Sequence, residues 1–151
     1  MAIIDIRSSP RFKQTVLLVD DQATVLSIHA AIIKSLDLDL TVVAKINPIE
    51  ALAYIRKKQV DLLITDFRMP SIDGIHFFKQ AKYLSRNKHV QIIVITALKS
   101  RQTYEEILAA GVTKCLFKPA QNDELTKIAY ELLNNHKRSY TNNNVLGNAN
   151  V

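Results

Sequence analysis

Short apolar runs of β-type residues alternate with longer segments of helical period along this chain, and few folds accept that alternation. The runs are Val16-Leu17-Leu18-Val19, Leu40-Thr41-Val42-Val43-Ala44, Leu62-Leu63-Ile64-Thr65, Ile92-Ile93-Val94-Ile95 and Cys115-Leu116-Phe117. Strands separated by helices predict βα units and a parallel sheet rather than a sandwich. The first helix is expected from Ala23, Leu26, Ile28, Ala30, Ile33 and Leu36. The second starts at Asn47-Pro48-Ile49-Glu50, with an N-cap, a proline at the first helical position and a glutamate reaching back, and buries Ala51, Leu52 and Ile55. A loop with a proline and a glycine, Phe67 to Gly74, precedes a third helix from Ile75 to Leu84. A fourth runs from about Arg101 to Ala110 and closes at Gly111, and a fifth from about Asp123 to Asn135.

Four of the five runs stop at polar residues: Asp20-Asp21, Asp66, Thr96 and Lys118-Pro119. In an open parallel sheet the strand C-termini share one edge, where ligands bind. Three carboxylates, a hydroxyl and an ammonium at that edge suit a hard divalent cation, Mg²⁺, together with a phosphoryl group, and offer nothing to a soft metal. Two adjacent carboxylates repel by about 4 kcal/mol when their charges lie 4 Å apart at an effective dielectric near 20, and a cation resolves the conflict. Asp66, placed by its strand in a solvent-accessible cleft, is the candidate nucleophile, since a carboxylate can attack phosphorus in line. Lys118 can pair with Asp66 at rest and with a phosphoryl oxygen afterwards, to which Thr96 can also donate.

The remaining features bound the alternatives. At 151 residues, 48% hydrophobic and 23% charged, the chain holds one domain. The expected division is an N-terminal extension over 1–11, the domain over 12–135, and a polar, asparagine-rich tail over 136–151 that cannot bury enough surface to order itself. No apolar run spans a bilayer and the first residues lack a signal-peptide pattern, so a cytoplasmic protein is expected. Cys115 stands alone, which excludes an internal disulfide. The net charge of +6 is scattered over helix surfaces and loops without a basic stripe or interleaved aromatics, so direct nucleic-acid binding is not expected. His29, His76, His89 and His136 lack ligand spacing with the acidic cluster and read as surface or packing residues. Three glycines, with no G-x-G-x-x-G or P-loop, set aside a nucleotide-binding enzyme.

Taken together, the acidic pair, central Asp66, the loop Met69-Pro70-x-x-Asp73-Gly74, Thr96 and Lys118-Pro119 resemble the CheY-like receiver domain of two-component response regulators, over roughly Arg11 to Asn135. The resemblance implies a flavodoxin-like, five-stranded doubly wound α/β fold of strand order 2-1-3-4-5. It implies a phosphoacceptor, not an enzyme, that takes a phosphoryl group from a histidine kinase or histidine phosphotransfer protein. Asp66 would be the phosphoacceptor, Asp21 a direct Mg²⁺ ligand, Asp20 a ligand through water, and Arg68 a ligand through its backbone carbonyl. Thr96 and Lys118 would bind the phosphoryl group. Phe117 would take the position of the switch aromatic, often Tyr, that alters the face formed by helix 4, strand 5 and helix 5. Arg68 and Leu98 would flank the acyl phosphate and lengthen its lifetime. No output domain fits after Asn135, so output would pass through a partner, a homodimer or further chain, with a phosphorylation-independent adaptor of the same fold as the rival reading.

Overall fold

In this computed structural model the described residues are 13–84 and 90–147, with the side chains of 136–147 excepted. The expected extension over 1–11, His89, the side chain of His136 and the end of the tail lie outside them. Among the described residues ten elements alternate: β1 (Gln14–Val19), α1 (Ala23–Lys34), β2 (Leu40–Lys45), α2 (Pro48–Lys57), β3 (Leu62–Thr65), α3 (Gly74–Leu84), β4 (Gln91–Thr96), α4 (Arg101–Ala109), β5 (Lys114–Phe117) and α5 (Asn122–Gly147). The strands form one parallel sheet in the order β2-β1-β3-β4-β5, the expected fold.

Period-2 alternation divides the core into two layers. Leu17, Val19, Leu63, Ile92 and Val94 face α2, α3 and α4, where Ala51, Ile55, Phe77, Phe78 and Ile107 close over them. Val16, Leu18, Leu62, Ile64, Ile93, Ile95 and Leu116 face α1 and α5, which contribute Leu26, Ala30, Ile33, Leu125, Ala129 and Leu133. Two caps match the sequence: Asn47 accepts from the Ile49 amide at 2.7 Å, and the positive φ of Gly111 (90°) closes α4.

Two expectations change. On α1, Ile28 is 51% exposed and His29 takes the inward place, because the buried series is Leu26, His29, Ala30 and Ile33. The last helix does not stop at Asn135 but continues to Gly147. Between Pro119 and Gly147 no proline or glycine interrupts the chain. Once packing has fixed the first turns, propagation costs little even through asparagines of modest propensity.

Candidate functional site

Each polar strand-end residue is held by the ladder it terminates. The Asp20 amide donates to the Lys45 carbonyl at 3.3 Å, Asp66 to Val19 at 3.2 Å, and Lys118 to Thr96 at 2.8 Å. The side-chain alternation continues one step past each strand: Asp20 follows Leu18, Asp66 follows Ile64, and Lys118 follows Leu116 onto the α1 and α5 side. They converge there. Lys118 Nζ donates to Asp66 Oδ2 at 2.7 Å and to Asp20 Oδ2 at 3.4 Å.

The second oxygens of these carboxylates are also engaged. Asp20 Oδ1 accepts from the Gln22 amide at 2.9 Å, which satisfies a donor at the start of α1, where the Gln22 side chain makes no cap. Asp66 Oδ1 accepts from the Arg68 amide at 3.2 Å. The Asp66 side chain is only 11% exposed, so the open cleft expected from sequence is nearly closed, with Lys118 across it. Burial opposes the charge on Lys118, but the hydrogen bond and charge of Asp66, followed by Asp20, outweigh it and raise the lysine pKa.

Carboxylate oxygens of Asp20, Asp21 and Asp66 lie within 4.8 Å of one another. Asp21 is exposed, so the trio opens to solvent on that residue's side. An all-oxygen set of three acids fits a hard divalent cation, which keeps several waters and takes a few carboxylates. Asp20 and Asp66 already share a lysine, and further positive charge suits the third.

Thr96 ends β4 fully buried, and its Oγ1 accepts from the Leu98 amide at 3.2 Å. Arg68 and Leu98 therefore play equivalent geometric parts: each stands two residues after a site residue and donates its amide back to that side chain. Arg68 is exposed and Leu98 half-buried. Phe117, beside Lys118, is 39% exposed and its ring centroid lies 6.0 Å from that of Tyr104 on α4.

The loop after Asp66 owes its shape to the motif residues. Met69 and Ile72 pair across Pro70 and Ser71, and Ser71 has φ of 83°. Proline followed by a left-handed residue is the pattern of a type II turn. Asp73 caps α3, its Oδ1 accepting from the His76 amide at 3.1 Å. One residue near the site is not among the site residues expected from sequence. His29, set apart there from the acidic cluster, lines the enclosed space beneath Asp20 and Asp66 with Leu18, Leu26, Ile64 and Ile95. The sequence signal was a histidine at inward helical spacing, three residues after Leu26 and four before Ile33.

Residues 16–130 match a family model described as the response regulator receiver domain. The chain is 31% identical over 124 residues to the cyclic di-GMP phosphodiesterase response regulator RpfG of Xanthomonas campestris, covering 82% of this chain and 33% of that protein. It is 31% identical over 104 residues to chemotaxis protein CheY-3 of Vibrio cholerae, covering 69% of this chain and 79% of the relative. The structure of Vibrio cholerae chemotaxis protein CheY4 superposes with a TM-score of 0.71 at 27% identity, over 80% of this chain and 98% of that one. Against the longer regulators RpfG and ZraR the chain spans 33% and 25% of their length. Among the described residues no helix is long and apolar enough to cross a membrane.

Proposed function

Because the chain belongs to the receiver-domain family of response regulators, we propose that it is the phosphoacceptor switch of a two-component or phosphorelay system, with Asp66 as the site of phosphorylation. The observation that supports this most is the convergence of Asp66, Asp20 and Lys118 at one strand edge, with Asp21 completing an oxygen cluster.

In the proposed reaction an Asp66 carboxylate oxygen attacks the phosphorus of a phosphohistidine on a histidine kinase or histidine phosphotransfer protein. The new O–P bond forms as the N–P bond breaks, and the imidazole leaves with the electron pair. Asp20, Asp21, Asp66 and the Arg68 carbonyl would hold Mg²⁺, which when bound supplies charge neutralisation to the phosphoryl oxygens. Lys118, which at rest occupies Asp66 Oδ2, moves its contact to a phosphoryl oxygen. Thr96 uses its oxygen to accept from Leu98, which leaves its hydroxyl proton for a second phosphoryl oxygen. Phe117 and Tyr104 lie on the way from Lys118 to the α4, β5 and α5 face, where an output partner or a second copy of the chain would read the change. A shift from 1:99 to 99:1 requires about 5.5 kcal/mol of preference for one state, within reach of a few charge-assisted hydrogen bonds. The protein assists its own phosphorylation and dephosphorylation without acting on a separate substrate, in the cytoplasm where its phosphodonors reside.

Intact-mass spectrometry after incubation with Mg²⁺ and acetyl phosphate tests the reading. One added phosphoryl group is expected on the wild-type chain, and none after chelation or in Asp66→Asn. No adduct under conditions that preserve acyl phosphates would favour the phosphorylation-independent adaptor instead.

Arg68 and Leu98, each two residues after a site residue, would shield the acyl phosphate from the hydrolytic water. The Arg68→Ala, Leu98→Ala double variant is therefore expected to lose its phosphoryl group several-fold faster. An unchanged decay of the mass adduct would remove both residues from any role in lifetime.

A further inference from the structure

Beneath the acidic cluster sits a polar group that packing does not explain. His29 is 9% exposed, and among the described residues it has no hydrogen-bonded or ion-paired partner. Its apolar neighbours Leu18, Leu26, Ile64 and Ile95 offer none, and the enclosed space has no room for a water molecule. A buried imidazole without a partner is costly, whereas a leucine would fill the same inner face of α1 without that cost.

The other side of this space is lined by Asp20 and Asp66. Alternation along β1 and β3 carries both onto the layer that α1 covers, so His29 shares this space with the two carboxylates, while Asp21 is exposed. Burial lowers the His29 pKa, against the pull of Asp20 and Asp66 and with the help of Lys118. An imidazole brings an N–H donor in either protonation state. Asp20 is the carboxylate in need of that donor. Its contact with Lys118 is the longer of the two, 3.4 Å against 2.7 Å, and it is the one weakened when Lys118 turns to a phosphoryl group.

Resting on the cation-dependent switch argued above, we propose that His29, unpaired in the metal-free protein, is a positioning residue that donates to Asp20 when Mg²⁺ binds and so orients its carboxylate. Groups that hydrogen-bond the acids around a metal commonly set its affinity.

The test uses the full chain as wild type, His29→Leu and His29→Gln, with two readouts that need no phosphodonor. One is Mg²⁺ affinity from amide chemical-shift titration, the other the melting temperature without metal. His29→Leu is expected to bind Mg²⁺ about tenfold more weakly and yet to melt about 3 °C higher, since it relieves a buried unpaired polar group. His29→Gln, which keeps an N–H donor, is expected to return the affinity to within about twofold of wild type. Unchanged Mg²⁺ binding in His29→Leu overturns the proposal. So does a fall in affinity and melting temperature together that glutamine does not restore, which would make His29 a packing residue. A wild-type chain that binds no Mg²⁺ removes the metal-dependent switch itself and this inference with it.

Discussion

Lys118→Met is expected to lower the unfolding free energy of the metal-free protein by about 2 kcal/mol at neutral pH, because it strips from two nearly buried acids the lysine they share. The side chains of Asp20 and Asp66 are 5% and 11% exposed, and the lysine between them is 20% exposed. Methionine keeps most of the volume and none of the charge, so the effect isolates electrostatics from packing. Removing one partner of a buried pair costs more than the pair is worth, and partial solvent access to Lys118 moderates that cost. The pH dependence has a definite sign. A lysine whose pKa is raised by folding stabilises fully below its unfolded value of about 10.4 and loses that contribution as pH rises through its folded value. Wild type and variant should therefore converge in alkali. Saturating Mg²⁺ should also narrow the gap, since the oxygen cluster then has another cation. Urea titrations with and without Mg²⁺ measure all three, and equal metal-free stabilities at neutral pH would contradict the account.

Gly74→Ala is expected to cost about 3 kcal/mol and to disturb the site with it. A Cβ at position 74 would overlap the Phe67 carbonyl oxygen and lie 2.7 Å from the ring Cδ2 of the same residue. The ring cannot swing aside freely, since its centroid lies 6.1 Å from that of Phe78, which is fully buried on α3. Relief must come from the backbone of residues 67 and 68, whose amide at Arg68 binds Asp66 Oδ1. Reduced stability accompanied by slower phosphorylation at a temperature where the variant remains folded would show both consequences. A variant as stable as wild type would mean that the loop yields at no cost.

The sheet and the placement of its polar ends were readable because local pattern and global fold agree there. Continuous apolar runs leave little choice but burial, and Asp20, Asp66 and Lys118 each come one residue after such a run ends. Less was readable where tertiary packing decides. Ile28 and His29 are adjacent, and only the rotation of α1 against the sheet determines which turns inward; hydrophobicity alone favours the wrong one. Accessibility at Asp66 was likewise invisible, since Lys118 closes over it from 52 residues away. The length of α5 depends on propagation from a packed start, which composition of the asparagine-rich segment does not reveal.

The span of these contacts bears on how the chain matures during synthesis. Lys118 meets Asp20 across 98 residues and Asp66 across 52. Contacts of that range are late rewards in a folding reaction, after the loop-closure entropy of the intervening segments has been met. A nascent chain that has delivered β1, β3 and β4 but not β5 carries Asp20 and Asp66 without their lysine, at an edge where the acids repel. Charge balance at the strand edge thus arrives with the last strand of the sheet, and the same lysine that serves the resting site also marks the sheet as complete.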